Sequence, residues 1–179
     1  LKKLSYNDLA VKIIIKFCSE EFEENELKEI VEKSYKSFRS KETVILKKYE
    51  DIYLLELFHG PTLAFKDIAL QVIGNMYEKF LPAQKNKINI VVATSGDTGS
   101  AAINAIKGRN KLNIFVLHPQ NKISEVQRKL MTTVKENNVF NIAVKGNFDD
   151  CQNLVKSMFV DNEFKNKINM SGVNSINWA

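Results

Sequence analysis

The sequence predicts an α/β fold: a doubly wound, mainly parallel sheet flanked by helices, preceded by a helical N-terminal segment. Three observations carry this reading. Residues 88–93, 113–117 and 139–144 are short, largely apolar runs, the pattern of strands buried on both faces. Segments of helical pattern separate them, as crossover connections between parallel strands require. After the first of these strands comes a loop of small residues, Thr94-Ser95-Gly96-Asp97-Thr98-Gly99, at the end of the strand where open α/β sheets take their ligands.

Each element has its own local signal. Ser5-Tyr6-Asn7-Asp8 places an N-cap residue three positions before an acid, and an apolar stripe follows through Phe17. Asn25 is expected to cap a second helix from 26 to about 38, with Leu27, Ile30, Val31 and Tyr35 on one face. Residues 43–46 and 52–58 read as strands around a charged turn at 47–51. His59-Gly60-Pro61-Thr62 is a loop, and a helix is expected from residue 65 or 66 to about 80. Further helices are expected at 100–107, 124 to about 135 and 149–159. The organisation expected is a helical segment over 1–42 and an α/β domain over 43–179, with no internal repeat, low-complexity tract or Pro-rich linker.

Composition excludes several function classes. The chain has 179 residues, 44 % hydrophobic and 26 % charged, which is ordinary globular composition. Its 26 Lys and Arg against 21 Asp and Glu leave +5, yet only Arg39, Arg109 and Arg128 are arginines. The lysines are scattered and alternate with Glu in the helical segments, unlike the concentrated, Arg-rich stripe of a nucleic-acid binder. No apolar run approaches the roughly 20 residues of a membrane span, and no leader pattern supports secretion. Cys18 and Cys151 are too few and too far apart for a disulfide framework or zinc site, so a reducing cytoplasm is expected. A start at Leu1 and an end at Asn177-Trp178-Ala179 suggest a piece of a longer polypeptide.

Two loops carry the candidate chemistry. In the first, Lys66 follows an apolar stretch at a helix start, where the positive dipole end and burial against Leu63 and Phe65 disfavour an ammonium. An amine so placed suits Schiff-base chemistry; the alternative is an ordinary surface lysine at a helix start. The second loop, with Gly96, Gly99 and the hydroxyls of Ser95 and Thr98, can cradle a phosphate or carboxylate on its N–H groups. It lacks the Gly-Lys-Ser/Thr of a Walker loop and the spacing of the dinucleotide fingerprint, and the alternative is a tight strand-to-helix turn. Simpler roles suit the remaining candidates: His59 orients a loop, His118 stabilises a turn before Pro119, and Asp149 caps the helix carrying a half-buried Cys151.

Taken together, these segments resemble the threonine synthase family, pyridoxal-phosphate enzymes of the tryptophan-synthase-β fold type. His59-Gly60-Pro61-Thr62-Leu63-Ala64-Phe65-Lys66-Asp67 is similar to the family's cofactor-lysine motif, and Ser95-Gly96-Asp97-Thr98-Gly99 to its substrate-carboxylate loop. Leu4-Ser5-Tyr6, His118-Pro119 with Ile123-Ser124-Glu125-Val126-Gln127, Gly146-Asn147-Phe148-Asp149-Asp150-Cys151-Gln152 and Asn174-Ser175-Ile176-Asn177 fit in the same order. The resemblance implies part of a two-domain enzyme of fold type II. It implies conversion of O-phospho-L-homoserine and water to L-threonine and phosphate, a carbon–oxygen lyase reaction that closes threonine biosynthesis. Lys66 would bind pyridoxal 5'-phosphate covalently and shuttle protons, with Phe65 and Asp97 beside the cofactor. Ser95, Gly96, Asp97, Thr98 and Gly99 would take the substrate carboxylate, and Thr62, Asn174 and Ser175 its phosphate.

The chain also departs from the pattern. Relatives of this fold carry Asn where Asp97 stands, and an acid there repels a carboxylate, so it is protonated, turned away or tuning the cofactor oxygen. Ala64 stands where one branch of the family has a serine. The family's glycine-rich loop for the cofactor phosphate and its residue facing the pyridine nitrogen fall beyond residue 179. Two other readings stay open: another fold type II lyase, such as a serine or threonine dehydratase or β-replacement enzyme, and a non-catalytic fragment binding an anion or partner. Monomer and homodimer are equally open.

Overall fold

The computed structural model describes residues 3–81 and 86–172. The chain opens with α1 (Tyr6–Cys18), whose Ser5 cap accepts from the Asp8 N–H at 3.1 Å as its sequence predicts. Helix α2 (Glu24–Tyr35) starts and ends earlier than expected. The cap is Glu23, not Asn25: the Glu23 N–H donates to Glu26 Oε2 at 3.0 Å, setting the cap two residues ahead of Asn25. Helix α3 (Asp67–Phe80) agrees with the prediction to within two residues.

The N-terminal helices dock on α3 and form a cluster of their own. Val11, Leu27, Val31, Tyr35 and Phe38 bury against Val72, with Ile68 and Met76 at the margin. Polar bonds fix the register: Tyr35 Oη donates to the Ile68 carbonyl at 3.2 Å, and Asn75 Nδ2 donates to Ser34 Oγ at 2.9 Å. Burial of this group raises the Tyr35 phenol, so it stays a donor at every ordinary pH.

Strands β1 (Ile45–Tyr49) and β2 (Ile52–Glu56) form a separate antiparallel hairpin. The turn is shorter than the expected 47–51: Tyr49 pairs with Ile52, and Glu50 takes a left-handed φ of 51°. Lys47 and Lys48 lie in the strand, because a two-residue loop with left-handed backbone matches strand twist better than a five-residue one.

The main sheet contains β3 (Ile88–Ala93), β4 (Leu112–Pro119), β5 (Val139–Val144) and β6 (Met170–Gly172), ordered β5-β4-β3-β6 and parallel throughout. Its connections are α4 (Asp97–Ile106), α5 (Glu125–Thr132), α6 (Phe148–Val160) and α7 (Asn162–Lys167). Both faces of β3 and β4 are covered, whereas β5, expected to be buried on both faces, lies at the edge of the sheet with Phe140 and Ile142 exposed. Ile88, Ile90, Val92, Leu112, Ile114 and Val116 pack on Leu70, Ile103 and Met131 from α3, α4 and α5. Val91, Leu117 and Met170 pack on Cys151, Val155 and Phe159 of α6. Alternate residues of β3 thus face opposite layers, which is why the run is apolar apart from Asn89.

Two sequence expectations change here. His118 lies within β4 and is buried, since the strand continues through Pro119 along its pairing with Val144. The cap of α6 is Asn147, not Asp149: Asn147 Oδ1 accepts from the Asp150 N–H at 3.0 Å and Asp150 Oδ2 from the Asn147 N–H at 2.7 Å. That reciprocal box satisfies two N–H groups, where Asp149 could satisfy one.

The order β5-β4-β3-β6 has a consequence for function. Chain growth runs outward from β3 to β4 and β5, then returns to the other side of β3 as β6. The carboxyl end of β3 is therefore the point where crossovers leave in opposite directions, the usual place for a ligand in an open α/β sheet.

Candidate active site

The Lys66 loop is built around a buried carboxylate. Asp67 is 0 % exposed and accepts from the Thr62 N–H and Thr62 Oγ1, both at 2.8 Å. Burial pushes its carboxyl above the ordinary range, and the Thr62 hydrogen bonds oppose that shift. The chain wraps tightly enough that a Cβ on Gly60 would stand 2.4 Å from Asp67 Cβ. Leu63 takes a φ of 63° and donates its N–H to the Gly60 carbonyl at 3.2 Å. Upstream, His59 Nε2 lies 3.0 Å from Glu56 Oε2, and the His59 carbonyl accepts the Arg39 N–H at 2.8 Å. The His59 ring is thus tied back to the end of β2.

Lys66 is thereby set immediately before α3. Its side chain is 16 % exposed, with Nζ 4.9 Å from the centre of the Phe65 ring and 3.8 Å from Asp97 Oδ2. Phe65 supplies the apolar contact expected of it, whereas Leu63 is half exposed because its left-handed backbone turns it outward. The amine has an anion nearby at more than hydrogen-bonding distance.

The second loop follows β3 at the switch point. Thr94, 1 % exposed, accepts from the N–H groups of Gly96 and Gly99, both at 2.9 Å. This starts α4 at Asp97, three residues earlier than expected, so Thr98 and Gly99 belong to the helix. It also commits two of the amides that a bound anion was expected to use. What the loop offers is the exposed Ser95, the Thr98 hydroxyl, and the N–H groups of Asp97 and Thr98 in the first helical turn, which have no acceptor within the helix.

Asp97 is neither isolated nor turned away from the lysine. Gln127 Nε2 donates to its Oδ1, while its Oδ2 faces Lys66. Gly96 has a φ of 144°, and a Cβ there would lie 2.3 Å from the Gln127 side chain. Lys66, Phe65, Asp97, Ser95 and the start of α4 therefore converge. Thr62 does not join them: it lines a separate cleft of about 420 Å³ with Ser100, Asn104, Lys107, Leu130 and Lys135. Asn174 and Ser175 lie outside the described residues.

Sequence reasoning missed Thr94 and Gln127. Thr94 reads as one more hydroxyl in a small-residue loop until its two acceptor contacts are seen. Gln127 had a legible signal, since Ser124-x-x-Gln127 has capping-box spacing, and Ser124 Oγ does accept from the Gln127 N–H at 3.2 Å. That spacing says nothing of Asp97, thirty residues away.

Comparison with known proteins places this geometry. The family described as Threonine synthase N terminus matches residues 1–35. The threonine synthase of Eremothecium gossypii is 47 % identical over 98 % of this chain and 37 % of its own length. Among solved structures, PLP-bound threonine synthase from Brucella melitensis superposes with a TM-score of 0.87 at 44 % identity, over 98 % of this chain and 38 % of that one. Threonine synthase from yeast gives 0.86 at 45 % identity, over 98 % and 37 %. Over nearly its whole length the chain is similar to the N-terminal portion of threonine synthases. It spans under two fifths of the length of these threonine synthases, and the match runs through the Lys66 loop, the Thr94 loop and the Gln127 helix.

Proposed function

We propose that the full-length protein is a pyridoxal-phosphate-dependent lyase that converts O-phospho-L-homoserine and water to L-threonine and phosphate. The observation that carries this reading is the Lys66 amine at the start of α3, 3.8 Å from Asp97 at the switch point of a parallel sheet. A relative of the same fold and 44 % identity is described as PLP-bound.

The residues present fit that cofactor. A carbonyl compound needs a reachable primary amine, and Lys66 Nζ is partly exposed and not locked into a short ion pair. Phe65 gives the amine an aromatic neighbour. When bound, pyridoxal phosphate supplies an electron sink for negative charge at the substrate carbons.

This chain's residues supply the rest. Lys66 holds the cofactor through Nζ and, once released, moves protons at the substrate α and β carbons. Asp97 keeps a carboxylate beside that amine. Ser95, Gly96, Thr98 and Gly99 form the carboxylate loop, with the Ser95 and Thr98 hydroxyls and the first-turn N–H groups of Asp97 and Thr98 as donors and the two glycines giving the loop its shape. Asn174 and Ser175 take the substrate phosphate. Thr62, also expected there, has its hydroxyl proton committed to Asp67 and offers a phosphate no donor. The same reading divides the chain into a helical segment, 1–42, and an α/β unit, 43–179. It also places the protein in the cytoplasm, consistent with Cys18 and Cys151 standing as free thiols in different clusters. Among the described residues no helix is long and apolar enough to cross a membrane.

The test is product analysis. Full-length protein loaded with pyridoxal phosphate should release inorganic phosphate and form L-threonine in equal amounts from O-phospho-L-homoserine. Turnover of L-serine or L-threonine to a keto acid instead, with no phosphate release, would replace this reading with a dehydratase.

A further inference from the structure

We infer that Gln127 is a positioning residue of this site, fixing the Asp97 carboxylate beside the Lys66 amine. The inference rests on the role proposed for Lys66 and adds a residue from a third element, α5. Both ends of the Gln127 amide are engaged: Nε2 donates to Asp97 Oδ1, and Oε1 accepts from Ser124 Oγ at 2.9 Å. Ser124 is the cap of α5 and accepts the Gln127 N–H at 3.2 Å, so the side chain and its helix start are fixed together. This sets which way the amide faces, with nitrogen toward Asp97.

The consequence falls on the other carboxylate oxygen. With Oδ1 tied to Gln127, Oδ2 stands 3.8 Å from Lys66 Nζ. That is near enough for charge to act and too far for a direct hydrogen bond, so the amine keeps an anionic neighbour without being locked by it. Gly96 belongs to the same device. Its φ of 144° and the 2.3 Å separation between a Cβ there and Gln127 mean that the Gln127 side chain occupies the space a larger residue would need. Glutamine suits the position because it donates to Asp97 and accepts from Ser124 at once. Glutamate would face Asp97 with like charge, and methionine would fill the space without donating.

The experiment uses the full-length protein without cofactor and reads the rate at which trinitrobenzenesulfonate, an anionic amine reagent, labels Lys66 at fixed pH, followed by peptide mapping. An ordered carboxylate beside the amine repels the reagent. Gln127→Met, which keeps the volume, and Gln127→Ala are each expected to raise the Lys66 labelling rate about three- to fivefold, as does Asp97→Asn, the range of an exposed charge pair. In the Asp97→Asn background a Gln127 substitution should change the rate no further. Wild-type labelling in both Gln127 variants overturns the proposal, and so does a Gln127 effect that persists without Asp97. A melting temperature lowered by more than about 8 °C in both variants also overturns it by making Gln127 structural. Failure of pyridoxal phosphate to attach to Lys66 would remove the cofactor reading instead, since this labelling cycle does not depend on the cofactor.

Discussion

Thr94 holds the site together without touching it. Its single hydroxyl oxygen accepts two N–H groups that would otherwise be buried beside an apolar strand end. Thr94→Val keeps the shape and removes the acceptor, and is expected to cost about 1–3 kcal/mol for each unsatisfied amide. Chemical unfolding of the variant checks this, and a cost below about 0.5 kcal/mol would refute the assignment. Asp67 allows a pH test. Its pKa is raised by burial, so its contribution to stability is present below the ordinary Asp value of 3.8 and is lost as pH rises through the raised value. The stability of wild type relative to Asp67→Asn should therefore increase on going from about pH 7 to about pH 4. Measured urea midpoints that diverge in the opposite sense would contradict the burial argument. At this scale Lys66 and Asp97 were legible through the resemblance of their two loops to threonine synthases, while the residues alone left an ordinary surface lysine and a tight turn as open readings. Thr94 and Gln127 stayed hidden because their meaning lies in partners that only folding brings near.

At the scale of elements, the loop after β3 is shaped by a conflict only glycine resolves. Gly96 combines a φ of 144° with Gln127 lying where its Cβ would go. Gly96→Ala is expected to destabilise the protein by about 1–3 kcal/mol and to displace Asp97, read as a lower melting temperature together with altered Lys66 labelling. An unchanged melting temperature would mean that the loop relaxes freely. Helix α4 shows why element ends were the least legible part. The sequence puts small residues at 94–99 and so suggests loop throughout, but the Thr94 bonds pull the helix start back to Asp97. The same competition moved the caps of α2 and α6, where a reciprocal pair of bonds displaced a lone Asn or Asp. Strand β5 was legible to the residue because an apolar run between polar segments leaves no such choice.

Across the whole molecule, the α/β class was readable from alternating runs, but the order β5-β4-β3-β6 was not. Strand order depends on which face each crossover covers, and β6 is only 3 residues long, too short to register as a pattern. The docking of α1 and α2 on α3 was equally invisible, since an amphipathic stripe does not name its partner. Charge adds a prediction at this scale. The carboxyls of Glu26 and Glu56 are held below their ordinary value by hydrogen bonds from Lys79 and Lys47. Partial burial works against the same shift in Glu78, but Lys33 and Arg109 outweigh it. Depressed carboxyls contribute stability above their ordinary value of 4.5 and lose it as pH falls through the depressed one. The urea midpoint should thus fall below about pH 4.5, less steeply at about 1 M salt, where exposed pairs are screened. A midpoint flat to about pH 3 would contradict this balance.

The central claim is that Lys66 is the amine that holds the cofactor, and one measurement reaches it directly. Full-length protein mixed with pyridoxal phosphate should show a visible absorption band that borohydride removes. The reduced cofactor should then be found on the peptide containing Lys66, and Lys66→Ala should lose both the band and the label. No band, or a label spread over the surface lysines with Lys66 unmodified, would contradict the account and leave the fold without the chemistry assigned to it.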